Sequence, residues 1–154
     1  MTVTEQRLNS NHGRFRHAAR DLPPELREGR PPDSEWTARE ILAHVVFWQE
    51  EALRRFDAPD RVRHLDREDL SSWNAEARER MRGAGWDSLL HRFEAAHVRL
   101  LTHVADADAP TWLGACTYRH YTEHTRQLLA LRHKARDSRP DVSVRPAELV
   151  SSPR

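Results

Sequence analysis

Four stretches of the chain carry apolar residues at helical spacing, and no stretch shows the alternating pattern of a half-buried strand. They cover roughly residues 4–21, the segment that follows Thr37, residues 86–104 and residues 113–136. A shorter helix is predicted near residues 71–82, before the turn signal Gly83-Ala84-Gly85. Helices with polar connections of this kind predict an all-α protein, a four-helix bundle with a short extra helix between its second and third long helices.

The composition changes near the end of the chain. The 154 residues, of which 38% are hydrophobic, suit one domain with a real core. We assign the bundle to residues 1–136. Residues 137–154 are rich in Asp, Ser, Arg and Pro, and we predict that they form a disordered tail.

Charge and hydropathy exclude several classes of protein. The 25 basic and 24 acidic residues are interleaved, so no extended basic patch favours a nucleic-acid partner. No apolar run is long enough for a membrane span, and the first residues lack the apolar core of a signal peptide. Cys116, the single cysteine, excludes an internal disulfide and is compatible with a reducing compartment. We therefore expect a soluble, cytoplasmic protein that does not bind membranes or nucleic acid.

Two histidines on the last predicted helix form the strongest chemical signal. His120 and His124 stand four residues apart, which places their rings on one helix face about 5 to 6 Å apart. His44 is the third candidate, because Thr37 fits the N-cap of the second helix with Glu40 as capping-box partner, and this start places His44 on the inward stripe. Three neutral imidazoles with an open fourth position are typical of catalytic metal sites. The alternative is that they are ordinary core histidines in a chain that has ten.

Other residues near these histidines have two interpretations each. Cys116 lies one turn before His120 and is either a redox-active thiol or extra ligand, or a small buried hydrophobe. His97 on the third long helix either lines the pocket or lies at the edge of the core. Trp48 and Tyr121 share the faces that carry the histidines, and they form either a pocket wall or core packing.

Charged residues beside the histidines are also ambiguous. Arg119 and Arg126 flank the pair and can hold the carboxylates of a thiol cofactor, or they are solvated or lie at a dimer interface. Glu40 and Glu123 are candidates to accept the second N–H of a metal-bound imidazole. Glu40 is already engaged by the predicted cap, and Glu123 is rotated by about 100° from the neighbouring histidine.

The segment Trp36-Thr37-Ala38-Arg39-Glu40-Ile41-Leu42-Ala43-His44-Val45, with the later His-x-x-x-His, resembles the DinB-like superfamily. Asn74 and the helix over residues 86–104 resemble the branch that contains maleylpyruvate isomerase N-terminal domains and ClbS/DfsB-like proteins. The resemblance covers roughly residues 5–135. It implies a commonly dimeric four-helix bundle that binds a divalent metal through His44, His120 and His124. We expect zinc or nickel, although three histidines also suit iron and copper.

Three functions are compatible with these features. The resemblance implies metal-dependent transferases and isomerases that use thiols such as mycothiol, bacillithiol or glutathione, and a ClbS-like branch that hydrolyses reactive natural products. Only Lys134 among the basic residues is lysine, a bias that indicates a high-GC genome and favours mycothiol. We expect transfer of such a thiol to a small electrophile in detoxification or secondary metabolism. The alternatives are a hydrolase that activates water at the metal, and a non-catalytic ligand-binding bundle.

Overall fold

The computed structural model describes residues 1–61, 69–105 and 108–139, and within these ranges the regular structure is helical, with no strand. The α-helices are α1 (Val3–Arg20), α2 (Ala38–Asp57), α3 (Leu70–Arg80), α4 (Trp86–Val104), α5 (Leu113–Cys116) and α6 (Tyr118–Asp137). Two short 3-10 turns, Pro24–Leu26 and Pro59–Arg61, follow α1 and α2. The prediction of an all-α bundle with a short helix after α2 is confirmed. The predicted tail lies outside the described residues from residue 140 onward.

α2 is the central helix of the bundle. It packs against α3, α4, α5 and α6, while α1 packs against α4 and α6. Burial follows from this position, since α2 carries core side chains over most of its circumference, Phe47 and Trp48 among the largest. Burying a side chain of this size stabilises the fold by about 1.5–3 kcal/mol. No helix in the described ranges is both long and apolar enough to cross a membrane.

The start of α2 confirms the predicted N-cap. The Thr37 Oγ1 accepts a hydrogen bond of 3.1 Å from the backbone N–H of Glu40. The other half of the predicted capping box is wrong, because the Glu40 carboxylate faces Arg78 on α3, with Oε2 3.0 Å from Nε. The cation on the neighbouring helix therefore takes the carboxylate that the local pattern assigns to the cap.

The last predicted helix is divided in two, which corrects the prediction of one helix over residues 113–136. Thr117, between α5 and α6, has φ −130° and ψ −100°. Its Oγ1 donates a hydrogen bond of 2.7 Å to the carbonyl of Leu113, so the side chain competes with the backbone ladder at this position. The Thr117 carbonyl accepts from the N–H of Tyr121, and α6 starts anew from there.

Candidate metal site

His44 from α2 and His120 and His124 from α6 converge at one end of the bundle. One nitrogen of each ring lies within 4.8 Å of a nitrogen of the other two. The ring centroid of His44 lies 5.0 Å from that of His120 and 5.1 Å from that of His124. His44 and His124 are buried and His120 is partly buried. The structure thus brings the three predicted ligands together.

Local features of α2 explain the placement of His44. The Thr37 cap sets the start of the helix, and His44 follows two turns later on the face toward α6. The Trp36 ring packs against His44 with centroids 4.6 Å apart, and Trp48, one turn after His44, stacks on His120 at 5.4 Å. Two tryptophans therefore hold the imidazoles from either side.

Burial keeps all three rings neutral at pH 7. It lowers the pKa of His44 to about 2, and repulsion from His120 and His124 in their protonated forms lowers this pKa further. It lowers the pKa of His120 to about 4, where charge on His124 adds to the effect and the backbone of Ala115 opposes it. The pKa of His124 is also lowered, first by burial. A neutral imidazole keeps a lone pair for a cation, which is the form that metals require.

Gln127 orients one of the rings, and sequence reasoning missed it. The Nδ1 of His124 lies 2.6 Å from the Oε1 of Gln127. Since an amide oxygen only accepts, Nδ1 carries the proton and Nε2 keeps its lone pair, a tautomer assigned from this geometry. The signal in the sequence is the i,i+3 spacing on α6, whereas a search for charged partners points to Glu123 and Glu40 instead. Glu123 lies in the wall of the cavity described below.

The residues present fit a divalent transition metal. Such ions bind imidazole nitrogen at about 2.0–2.1 Å, so nitrogens less than 4.8 Å apart need only small side-chain rotations to share one ion. The Nδ1 atom of His44 is buried and has no hydrogen-bond partner in the described part of the chain. Three neutral nitrogens suit zinc, nickel, copper and iron alike.

A cavity of about 450 Å³ opens beside the three histidines. The loop before α2 lies on one side of it and includes Asp33, whose φ of 62° is in the left-handed region. Carboxylates stand on its walls in Asp33, Glu35 and Glu123, and Trp48 and Asn74 are also among its lining residues. The cavity therefore offers the open space and the aromatic wall that a small substrate needs.

Of the four predicted pocket residues, only Trp48 lines this cavity. Cys116 is fully buried before the break at Thr117, and burial raises the pKa of its thiol to about 12 although Arg55 opposes the shift. Tyr121 lies in the core, where its hydroxyl accepts a 2.8 Å hydrogen bond from Gln49. It is the next residue after His120, rotated by about 100° on α6, and therefore faces away from the cavity.

The remaining predicted residues also lie apart from the histidines. His97 is buried between α4 and α1, where its Nε2 lies 2.9 Å from Oδ1 of Asn9 and its ring stacks on His12 at 3.7 Å. Arg119 and Arg126 are exposed on α6, and neither is among the residues that line the cavity. An extended cofactor would have to reach beyond the cavity to meet them.

Comparison with known proteins identifies the family. No curated protein sequence matches the chain. Solved structures that share its fold include an uncharacterised protein from Escherichia coli UTI89, with a TM-score of 0.74 and 10% sequence identity over 85% of this chain and 91% of that chain. They also include the colibactin self-resistance protein ClbS in complex with a double-stranded DNA, with a TM-score of 0.71 and 13% identity over 83% of this chain and 92% of that chain. The sibling lethal factor precursor DfsB matches with a TM-score of 0.70 and 11% identity over 86% of this chain and 94% of that chain. The sequence profile of the DinB superfamily matches residues 7–132. The chain belongs to the DinB superfamily, as the two histidine motifs indicate.

Proposed function

We propose that this protein is a metal-dependent enzyme that activates a small nucleophile and delivers it to a small electrophile. One observation carries the proposal: three neutral histidines from two helices converge beside an open cavity of about 450 Å³. In this proposal His44, His120 and His124 are the metal ligands, and the cavity holds the substrate. Zinc and nickel are the candidate ions.

The chain's own residues would do most of the positioning. A bound divalent metal would supply a Lewis acid that lowers the pKa of a coordinated thiol or water. Gln127 fixes the tautomer of His124, and Trp36 and Trp48 restrict the rings of His44 and His120. Such outer contacts maintain ligand geometry in metal sites.

A low-molecular-weight thiol is the nucleophile that we favour. The pKa of the buried Cys116 thiol is raised to about 12, so the protein's own cysteine is unsuited to nucleophilic attack. A free thiol with a pKa near 8.5 is mostly protonated at pH 7 and gains from activation at a metal. The arginine-rich, lysine-poor composition, which indicates a high-GC genome, makes a mycothiol-type thiol the first to test.

Hydrolysis is the second candidate, and the structural likeness to ClbS favours it. ClbS is the colibactin self-resistance protein, so the fold serves self-resistance in that protein. With water as the nucleophile, the same three histidines support a hydrolase of this type. DNA is present in that ClbS structure. For this chain we propose a small-molecule partner, since the carboxylates of Asp33, Glu35 and Glu123 around the cavity repel phosphate.

Metal content is the first test. Protein purified without an affinity tag and incubated with zinc, nickel or manganese should hold close to one ion per chain by elemental analysis. His120→Ala should abolish stoichiometric binding, whereas His133→Ala, an exposed position on the same helix, should leave it unchanged. Stoichiometric metal in His120→Ala, or none in the wild type, would reject the metal site and leave the non-catalytic bundle.

Thiol dependence separates the two enzymatic functions. The metal-loaded protein is incubated with monobromobimane, with and without mycothiol, bacillithiol or glutathione, and conjugates are separated by chromatography. Thiol transfer predicts conjugate formation above the uncatalysed rate that is lost in His120→Ala. Turnover that does not depend on added thiol would select hydrolysis. Dimer formation stays a prediction, to be checked by light scattering on the same samples.

A further inference from the structure

A second cavity lies directly beside the first. It has a volume of about 230 Å³ and lies between the first turns of α2 and the length of α3. Trp36, His44 and Asn74 belong to the walls of both cavities. A ligand that occupies the second cavity therefore reaches the face of His44, one of the proposed metal ligands.

The lining of the second cavity combines positive charge with apolar surface. Three arginines, Arg39, Arg78 and Arg82, stand around it with one carboxylate, that of Glu40. Ala77 and Met81 contribute apolar surface and are themselves buried. This combination suits a ligand with an apolar body and an anionic end.

The guanidinium groups have donors to offer such a ligand. Arg78 and Arg82 are largely exposed and lie 3.0 Å from Glu40 and 2.8 Å from Glu79 respectively. A guanidinium carries five N–H donors in a planar fork, so one carboxylate contact leaves others for a second acceptor. Arginine pairs with carboxylates in a bidentate manner, and such charge-assisted bonds are about twice as strong as neutral ones.

The two cavities differ in charge, which gives a bound molecule a direction. Asp33, Glu35 and Glu123 place negative charge around the histidine cavity. Its neighbour is lined by three arginines and one carboxylate, and each arginine is paired with a carboxylate: Arg39 with Glu28, Arg78 with Glu40 and Arg82 with Glu79. An anionic group is therefore repelled from the histidine cavity, whereas the second cavity offers it the guanidinium N–H donors that these pairs leave free.

We infer that the molecule processed at the histidines carries a carboxylate or a similar anion on an apolar body, and that Arg78 and Arg82 bind this group. This inference rests on the proposed function. The anion belongs either to the electrophile or to the thiol. The ligand then spans both cavities, with its reactive atom beside His44.

The first arm of the test needs no metal. Metal-free protein is titrated calorimetrically with 4-phenylbutyrate and with its neutral amide. The acid should bind about tenfold more tightly, and Arg78→Met and Arg82→Met should each reduce this ratio toward one. Arg80→Met is the matched control, because Arg80 lies between the two tested arginines in sequence, is similarly exposed and pairs with Glu76, yet does not line the cavity. Arg82→Met leaves the ion pair between Arg78 and Glu40 intact, so it still tests the anion site if Arg78→Met fails to fold.

The second arm asks whether the thiol carries the anion. Cobalt-loaded protein is titrated with ω-mercaptocarboxylates of increasing length and with their amides, and the sulfur-to-cobalt charge-transfer band reports binding. If the thiol carries the anion, one chain length shows an acid preference that Arg78→Met removes. If 4-phenylbutyrate is preferred over its amide but no mercaptocarboxylate is preferred over its amide, the electrophile carries the anion.

The outcomes distinguish this inference from the proposed function. Equal affinity for acid and amide in the first arm, or a ratio that survives both arginine substitutions, overturns the anion site even where cobalt binds. A clear acid preference in protein that binds no metal supports the anion site and rejects the proposed function.

Discussion

The imidazole of His124 and the side-chain amide of Gln127 form a 2.6 Å hydrogen bond within one turn of α6. This contact holds the proton on Nδ1 and leaves Nε2 for a metal. In the proposed metal site an uncharged residue would thereby perform the orienting role that carboxylates often have.

Gln127→Leu should weaken zinc binding by about 10–100-fold, because the ring of His124 then loses its tautomer and its orientation. Competition with a chromophoric chelator measures the affinity. Gln127→Glu keeps an acceptor at the same place and should bind zinc at least as well as the wild type. Wild-type affinity in Gln127→Leu would show that the hydrogen bond does not position the ligand.

A buried amide couples α2 to α6 in the core. Gln49 is fully buried, and its Nε2 donates to the hydroxyl of Tyr121 and to the carbonyl of Phe93. Gln49→Leu and Tyr121→Phe should each destabilise the protein by about 1–3 kcal/mol, since each leaves a buried polar group unpaired. The double variant should be less destabilised than the sum of the two, with a coupling of about 1 kcal/mol in urea unfolding. Strict additivity would mean that the bond contributes nothing.

Acid should unfold the metal-free protein partly through a pair of stacked histidines. The ring of His12 lies between those of Phe93 and His97, with centroids 4.2 and 3.7 Å away. Burial is the first cause that lowers the pKa of His12 to about 3 and that of His97 to about 4, and the charge of Arg16 adds to both shifts. In the unfolded chain both are near 6.5, so the unfolded state binds protons first. The stability that these two neutral rings contribute is complete above pH 6.5 and is lost as the pH falls from 6.5 toward their pKa values in the folded protein.

His12→Phe provides the measurement. It keeps an aromatic ring in the stack but removes one titrating group, so its free energy of unfolding should fall by about 1–2 kcal/mol less than that of the wild type between pH 7 and pH 5. The three cavity histidines are present in both proteins and cancel in this comparison. Parallel pH profiles would show that His12 is already protonated in the folded state or neutral in both states.

Two helical glycines should respond to alanine in opposite directions. A Cβ on Gly13 in α1 would meet no atom of the described residues within 4 Å, so Gly13→Ala should stabilise the protein by about 0.5–1 kcal/mol through lower chain entropy. A Cβ on Gly114 in α5 would lie 2.6 Å from the hydroxyl oxygen of Tyr118. The ring would have to move, at a cost of about 1–3 kcal/mol that exceeds the helical gain. Thermal unfolding of both variants checks the signs, and a raised Tm in Gly114→Ala would contradict the second.

Local sequence rules predicted the placement of His44 well. The phase of a helix follows from its first residue, and Thr37 is an N-cap by its own chemistry. The spacing of His120 and His124 survives the break at Thr117, because both residues follow it. The break itself was not predictable from periodicity, since it depends on how the Thr117 hydroxyl bonds to Leu113.

Features that depend on contacts between helices were beyond sequence reasoning. The Glu40 carboxylate satisfies the capping-box pattern, but Arg78, distant in sequence, takes it in the folded protein. Arg39 and Arg82 acquire a common cavity only because α3 packs beside the start of α2. Periodicity reports which face of a helix is buried and does not report which neighbour covers it.

The separation of His44 from His120 along the chain has a mechanical consequence. An ion held by both would link the first half of the sequence to the second and close a loop of about 76 residues. Closing a long loop removes more chain entropy from the unfolded state than closing a short one. The same ion would thus cross-link α2 and α6, and a chelator would lower the stability of the bundle as well as remove the ion from the proposed site.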